Sequence, residues 1–167
     1  MQDICDDLAL HQYAIEATYK EIHQISLDLK KKLPQYTHYA SQVLPAARAC
    51  HAIIIDKKTA VYLSLAPGQG KTYVNLQIYI ELEKKGKKVA YVVLNETLKV
   101  CLLALAQAIP IPGFVCLTPD GIPRHQIMEP ECVYISDEWF HQAKAWLIQM
   151  TPDQSKMVGL LSLGVSE

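Results

Sequence analysis

Residues 61–72 read Val61-Tyr62-Leu63-Ser64-Leu65-Ala66-Pro67-Gly68-Gln69-Gly70-Lys71-Thr72. A short apolar run comes first, a glycine-rich turn follows, and the chain from Tyr73 to Lys85 contains neither Pro nor Gly. This order predicts a strand, a phosphate-binding loop and a helix. Because glycine lets the backbone adopt positive φ and approach a ligand, successive N–H groups can converge on a polyphosphate at the positive end of the helix.

The residues of this loop have distinct expected roles in binding a nucleotide. Lys71 would reach the β- and γ-phosphates, and the Thr72 hydroxyl would bind Mg²⁺. The strict pattern has Gly at position 65, where this chain has Leu, but Gly68 and Gly70 relieve the crowded part of the loop. An ordinary turn that opens a helix is the alternative interpretation. The expected nucleotide contacts are Pro67, Gly68, Gln69, Gly70, Lys71, Thr72 and Tyr73.

Composition indicates one ordinary globular domain. The chain has 167 residues, of which 50% are apolar and 20% charged. Its formal net charge of −1 gives no overall attraction to nucleic acid or membranes, so such contacts would need a local patch. We expect no signal peptide. The sequence contains no apolar run of ~20 residues, and its five cysteines form no C-x-x-C pair. We therefore expect an intracellular protein, in the cytoplasm or nucleus, with reduced thiols and no membrane partner.

The N-terminal region is predicted to be one long amphipathic helix. Residues 1–33 contain no Pro or Gly. Apolar side chains recur there at seven-residue intervals: Leu8, Ile15, Ile22 and Leu29. This helix would pack on its own domain or on a helical partner, and a coiled coil is the alternative. Pro34 would end it, and Pro45 would open a second helix. We place residues 1–40 in an N-terminal helical segment and residues 41–167 in the nucleotide-binding domain.

Apolar runs and helical patterns alternate along the rest of the chain. The predicted strands are Thr59–Leu65, Val89–Leu94, Phe114–Leu117, Cys132–Ser136 and Met157–Leu163. Two further predicted helices are Leu98–Ala108 and Trp139–Met150. Asn95 could cap the first of these helices, and Gly86 could end the helix that follows the loop. The alternation predicts a parallel sheet with right-handed crossovers, and hence a three-layer α/β fold.

Two carboxylates follow the fourth predicted strand. Asp137 would bind Mg²⁺ directly or through water, and Glu138 would accept a proton from the attacking water. Because the carboxyl ends of parallel strands meet at one edge of a sheet, we expect this pair to lie beside the phosphate loop. The alternative is structural, since acidic pairs also cap the N-termini of many helices.

Together these motifs resemble the first RecA-like domain of superfamily 2 helicases and related DExD/H-box ATPases. Residues 66–72 are similar to motif I of that family, and residues 137–140 to motif II. Residues 118–121 are similar to motif Ib, which touches the nucleic-acid backbone in the family. The resemblance implies a RecA-like P-loop fold and ATP with Mg²⁺ as cofactors. It also implies Lys71 and Glu138 as catalytic residues, and contacts of Thr118 and Pro119 with DNA or RNA.

The resemblance also bears on hydrolysis. Family helicases place a second RecA-like domain against the first, and it supplies arginine fingers worth ~10³–10⁵ in rate. This sequence has only Arg48 and Arg124, and we expect no second such domain in it. The predicted function is therefore Mg-ATP binding with weak hydrolysis, and a second RecA-like domain is a candidate partner. Two alternatives remain: a scaffold module that has lost the chemistry, and another P-loop motor such as a SecA-like or AAA-type ATPase.

Overall fold

The computed structural model describes residues 2–33, 36, 40–57, 60–63, 71–136 and 160–163. Its helices are α1 (Gln2–Lys32), α2 (Ala40–Ile54), α3 (Lys71–Lys84), α4 (Glu96–Ala108) and α5 (Ile122–Met128). Its strands are β1 (Ala60–Leu63), β2 (Val89–Val92), β3 (Cys116–Leu117), β4 (Val133–Ser136) and β5 (Leu160–Leu163). A short 3₁₀ turn, Pro119–Gly121, leads into α5. The five strands lie within or on the segments predicted from the sequence.

The five strands form one parallel sheet in the order β1-β5-β4-β2-β3. β5 lies between β1 and β4, and its Leu161 is in register with Val61 on one side and Ile135 on the other. Since all strands run in the same direction, the segments that follow them leave the sheet at one edge. The predicted parallel α/β architecture is confirmed for these elements.

Helices cover both faces of the sheet, which gives three layers. Successive strand residues point to opposite faces. Tyr91 and Ile135 lie on one face, in a common core with α1, α2 and α3. Tyr134 points to the other face and is fully buried, and its hydroxyl lies 2.8 Å from Nδ1 of His125 in α5. The sheet is therefore packed between two helical layers, as its near-continuous apolar strands require.

Two helix boundaries follow the capping residues in the sequence. The Asn95 side chain accepts a hydrogen bond of 3.0 Å from the backbone N–H of Leu98, so it caps α4 as predicted. Gly86 has φ of 82°, the left-handed conformation expected of the residue that ends α3. None of the helices in the described part of the chain has the length and apolar character needed to cross a bilayer.

The prediction that Pro45 opens the second helix is wrong. α2 begins at Ala40, and Pro45 lies inside it. A proline there removes one backbone hydrogen bond, but the preceding turn is held in place by packing. Val43 is fully buried, and the buried Gln42 side chain accepts a hydrogen bond of 3.4 Å from the Tyr36 hydroxyl. Tertiary contacts therefore extend the helix on the N-terminal side of the proline.

The N-terminal helix spans almost all of its predicted range. Its second half packs against α2 and α3, with Ile22, Ile25 and Leu29 buried in the common core. This half of the helix therefore packs on its own domain, and a contact with a further helical partner stays a prediction. The division at residue 40 stays a prediction. The predicted helix Trp139–Met150 lies outside the described residues.

Candidate nucleotide-binding site

A cavity of about 450 Å³ opens at the carboxyl edge of the sheet, between the first turn of α3, the end of β4 and one side of α4. Among the described residues, its lining includes Lys71 and Thr72 from α3 and Ser136 from β4. Leu98 and Leu105 of α4 contribute to an apolar wall. Two segments that are far apart in the sequence therefore meet in one cavity.

The polar end of the cavity suits an anion. Lys71 and Thr72 are partly buried and form the first turn of α3. The first turn of a helix carries backbone N–H groups without intrahelical partners and the positive end of the helix dipole. A lysine ammonium and a threonine hydroxyl at that position add a cation and a ligand for a hard metal ion. The chemistry of this end of the cavity therefore matches a metal-bound polyphosphate.

Ser136 is a site residue that the sequence analysis missed. It is the last residue of β4 and is 1% exposed. Among the residues that the structure describes, its Oγ has no hydrogen-bond partner. Its position directly before Asp137 could have indicated a site residue. A serine at the end of an apolar strand does not by itself predict a binding site. The fold brings this residue, at the end of β4, to the cavity that Lys71 also lines.

A buried polar contact supports α3 directly behind the site. The Tyr36 hydroxyl, which is buried, forms a 2.7 Å hydrogen bond with Oγ of Ser26 in α1. It also accepts a 2.9 Å hydrogen bond from Nε2 of Gln77 in α3. The Tyr36 ring packs against Tyr73, with ring centroids 4.9 Å apart. This group of side chains therefore connects α1 to the helix that begins with Lys71.

A carboxyl pair lies further along the same side of α3. Glu81 is fully buried, and burial together with the neighbouring Glu21 of α1 raises the pKa of Glu81 to about 8. The pKa of Glu21 is lowered by its interaction with Glu81 and with Lys85, whose Nζ lies 3.0 Å from Glu21 Oε1. The interaction between the two carboxyl groups lowers the pKa of Glu21 and contributes to raising the pKa of Glu81. Lys85 Nζ is 3.9 Å from Glu81 Oε1.

Cysteines differ sharply in their surroundings. Cys101 of α4 is exposed and lines the cavity. Cys50, Cys116 and Cys132 are buried, and burial raises the pKa of each of these three thiols. Because the thiolate is the reactive form, the buried thiols are poor nucleophiles. Among the cysteines whose side chains the structure describes, Cys101 alone is accessible to a reagent.

The remaining predicted site residues do not line the cavity or lie outside the described part of the chain. Tyr73 packs on Tyr36 and does not line the cavity, so its contact with a nucleotide stays a prediction. Thr118 and Pro119 follow β3, at the same edge of the sheet, and the Thr118 hydroxyl donates a hydrogen bond to the Asp120 carboxylate. Several predicted residues lie outside the described part of the chain: Pro67, Gly68, Gln69, Gly70, Asp137 and Glu138.

Comparison with known protein families gave a match. A family model described as "Type III restriction enzyme, res subunit" matches residues 7–106. The matched range runs from α1 through most of α4 and includes Lys71 and Thr72. No curated protein and no solved structure matches the chain. Since the match covers more than half of the chain, this protein belongs to the family of the type III restriction enzyme res subunit and contains a RecA-like P-loop domain of the helicase superfamily 2 type.

Proposed function

We propose that this chain binds Mg-ATP in the cavity at the carboxyl edge of its sheet. The observation that carries the proposal is that Lys71 and Thr72 line the same cavity as Ser136. Ser136 directly precedes Asp137 in the sequence, which supports a role for the acidic pair in this site. Membership of a P-loop family supports the same assignment, because such domains use a lysine and a hydroxyl at the start of a helix to hold phosphates and magnesium.

Each residue has a proposed role in this site. Lys71 holds the β- and γ-phosphates, and residues 67–70 are proposed to supply backbone N–H donors to them. Thr72 and Asp137 hold Mg²⁺, and Glu138 orients the attacking water. The order of the strands supports these roles, because β5 alone separates β1 from β4 and all three end at one edge. The chemistry that bound magnesium would supply is neutralisation of charge on the phosphate oxygens.

We also propose that these 167 residues hydrolyse ATP slowly. Arg48 of α2 and Arg124 of α5 are both exposed, and neither lines the cavity. An arginine that stabilises charge on the transferred phosphoryl group is worth ~10³–10⁵ in rate. Rapid hydrolysis therefore needs an arginine from a second RecA-like domain or from another partner.

Calorimetric titration with Mg-ATP tests the binding site. Lys71→Ala removes a charged hydrogen-bond donor and is expected to weaken binding by roughly 10–100-fold, the equivalent of about 1.5–3 kcal/mol. Lys84→Ala is the matched control, since Lys84 is exposed at the other end of the same helix. Equal affinity of the wild type and Lys71→Ala, or no binding by either, would mean that the cavity is not an ATP site.

Nucleic acid is the proposed macromolecular partner, through the turn that follows β3. Family membership supports this contact. The negative charge of the turn is expected to make the binding of nucleic acid weak. The Thr118 hydroxyl is bonded to the Asp120 carboxylate, and a carboxylate repels phosphate. Binding of single-stranded DNA and RNA, measured over a range of salt concentrations, tests the proposal. A protein that contacts phosphates loses affinity steeply as salt rises, so salt-independent binding would argue for a different contact.

A further inference from the structure

We propose that Glu81 of α3 and Glu21 of α1 share one proton at neutral pH, and that this bond is a pH-sensitive contact between the two helices. The Glu81 carboxyl group carries the proton and donates a hydrogen bond to the Glu21 carboxylate. As pH rises, the proton passes to the solvent, and two negative charges then face each other. The proposal concerns the packing of α1 on α3, so it does not depend on nucleotide binding.

The burial of Glu81 is the first observation. Its side chain is 0% exposed, and both carboxyl oxygens are inaccessible to water. A carboxylate in such surroundings is strongly disfavoured unless it is paired, so a buried carboxyl group without a closely bound cation holds its proton. Among the residues that the structure describes, no N–H group bonds to either oxygen. The described part of the protein thus offers little to stabilise the ionised form of Glu81.

The position of Lys85 is the second observation. Its Nζ lies 3.0 Å from Glu21 Oε1 but 3.9 Å from Glu81 Oε1. The first distance is that of a hydrogen-bonded ion pair, and the second is too long for a hydrogen bond. The ammonium group therefore favours the charged form of Glu21 and leaves Glu81 as the protonated member of the pair. With one proton the three groups are neutral overall, whereas without it they carry one excess negative charge.

Charged and titratable groups from three helices act on Glu81: Glu21 of α1, Cys50 of α2, and Lys84 and Lys85 of its own helix. Burial raises the pKa of the Cys50 thiol, so Cys50 stays neutral and adds no counter-charge. Lys84 is exposed, so water screens its attraction. Burial and the neighbouring Glu21 together raise the pKa of Glu81 to about 8, which agrees with a protonated group at neutral pH.

The proton couples the two helices over a defined range of pH. If α1 moved away, water would reach Glu81 and its pKa would return towards the ordinary value of 4.5. The docked arrangement therefore binds one proton more between 4.5 and about 8, and this contribution is lost as pH rises through about 8. Ile22 and Ile25 of α1 are buried in the common core, and this packing opposes release of the helix. We therefore expect a local change around Glu21.

Carbon NMR of the glutamate carboxyl groups in the full chain, assigned through bonds, tests the shared proton. The Glu81 signal should titrate with a midpoint of about 8. Glu21→Gln removes the neighbouring negative charge and supplies an amide donor to ionised Glu81, so the midpoint should fall by about one pH unit or more. Glu16→Gln is the control on the same helix, because Glu16 is exposed, and it should leave the midpoint unchanged.

Two results of this titration would overturn the proposal. A wild-type midpoint at the ordinary value of 4.5 would mean that Glu81 holds no proton at neutral pH. An unchanged midpoint in Glu21→Gln would mean that burial alone holds the proton and that the two carboxyl groups do not share it.

The same spectra test whether the contact between the helices responds to the proton. Backbone amide signals of α1 on both sides of Glu21 should shift with the Glu81 midpoint, and those of α4 should not. Glu81→Gln should abolish the shift, since glutamine does not ionise and its amide can still donate to Glu21. If the α1 signals do not move through the Glu81 titration, or if α4 moves with the same midpoint, the pH-sensitive contact is wrong. Should Glu81→Gln fail to fold, the wild-type titration decides alone.

Discussion

The buried Glu81 should make the stability of this protein fall as pH rises through neutrality. Its pKa is raised from 4.5 to about 8 by burial and by the neighbouring Glu21. Between these two values the folded protein binds one proton more than the unfolded chain, so the free energy of unfolding decreases with increasing pH. One pKa unit corresponds to 1.36 kcal/mol, so the shift from 4.5 to about 8 lowers the free energy of unfolding by at most roughly 5 kcal/mol.

Charged groups near Glu81 reduce the loss of stability that its raised pKa causes. The groups that face Glu81 are Glu21 from α1, Cys50 from α2, and Lys84 and Lys85 from its own helix. The lowered pKa of Glu21 has the opposite sign, since the stability it contributes is fully present above the ordinary carboxyl value and is lost as pH falls through the lowered pKa. Lys85 attracts both carboxylates and partly compensates their repulsion. We therefore expect a net loss of a few kcal/mol between about pH 5 and pH 8.

Glu81→Gln isolates this effect, because glutamine has nearly the same shape and does not ionise. Urea unfolding at intervals between pH 5 and pH 9 gives the free energy of unfolding of both proteins. The two should have similar stability at pH 5, and the variant should be more stable by about 2–4 kcal/mol at pH 8. Glu83→Gln is the control, because Glu83 lies on the same helix and is exposed. A stability difference between Glu81→Gln and wild type that is constant over this range would refute the reasoning.

Three further predictions concern other described side chains. In a Cys5→Ser background, a thiol reagent should label Cys101 first, and saturating Mg-ATP should slow that labelling; equal rates with and without ligand would separate Cys101 from the ligand site. Tyr36→Phe should lower the free energy of unfolding by about 1–3 kcal/mol in urea titrations, because it removes the hydroxyl bonded to α1 and α3. Asp120→Arg should strengthen single-stranded DNA binding at low salt and steepen its salt dependence, because a repulsive carboxylate becomes a phosphate-binding cation; an unchanged slope would exclude this turn from the interface.

The parts of the fold that the sequence predicted correctly are set by local chemistry. The strands follow from apolar runs, and the start of α4 follows from a side chain that can bond its own helix, Asn95. Gly86 ends α3 because glycine adopts the left-handed conformation without strain. In each of these cases the decisive interaction lies within a few residues in the chain, so a local pattern is sufficient.

The parts that the sequence did not predict depend on distant contacts or on proline. α5 was not predicted from the sequence; Pro123 lies in its first turn, where proline is compatible with a helix. The start of α2 was misplaced because burial of the turn before Pro45 outweighs the lost hydrogen bond. The hydrogen bond between Gln77 and Tyr36 joins residues 41 positions apart, and no periodicity reveals it.

The side of α3 that faces α1 explains why such distant contacts matter for the site. Tyr73, Gln77 and Glu81 are spaced four residues apart, so they lie along one side of the helix. They meet Tyr36 and Glu21, and these contacts are largely polar. Apolar packing stabilises a helix but tolerates small rotations, whereas hydrogen bonds are directional and fix its orientation. Because Lys71 and Thr72 begin this same helix, we expect these polar contacts to help fix the orientation of the helix end that lines the cavity.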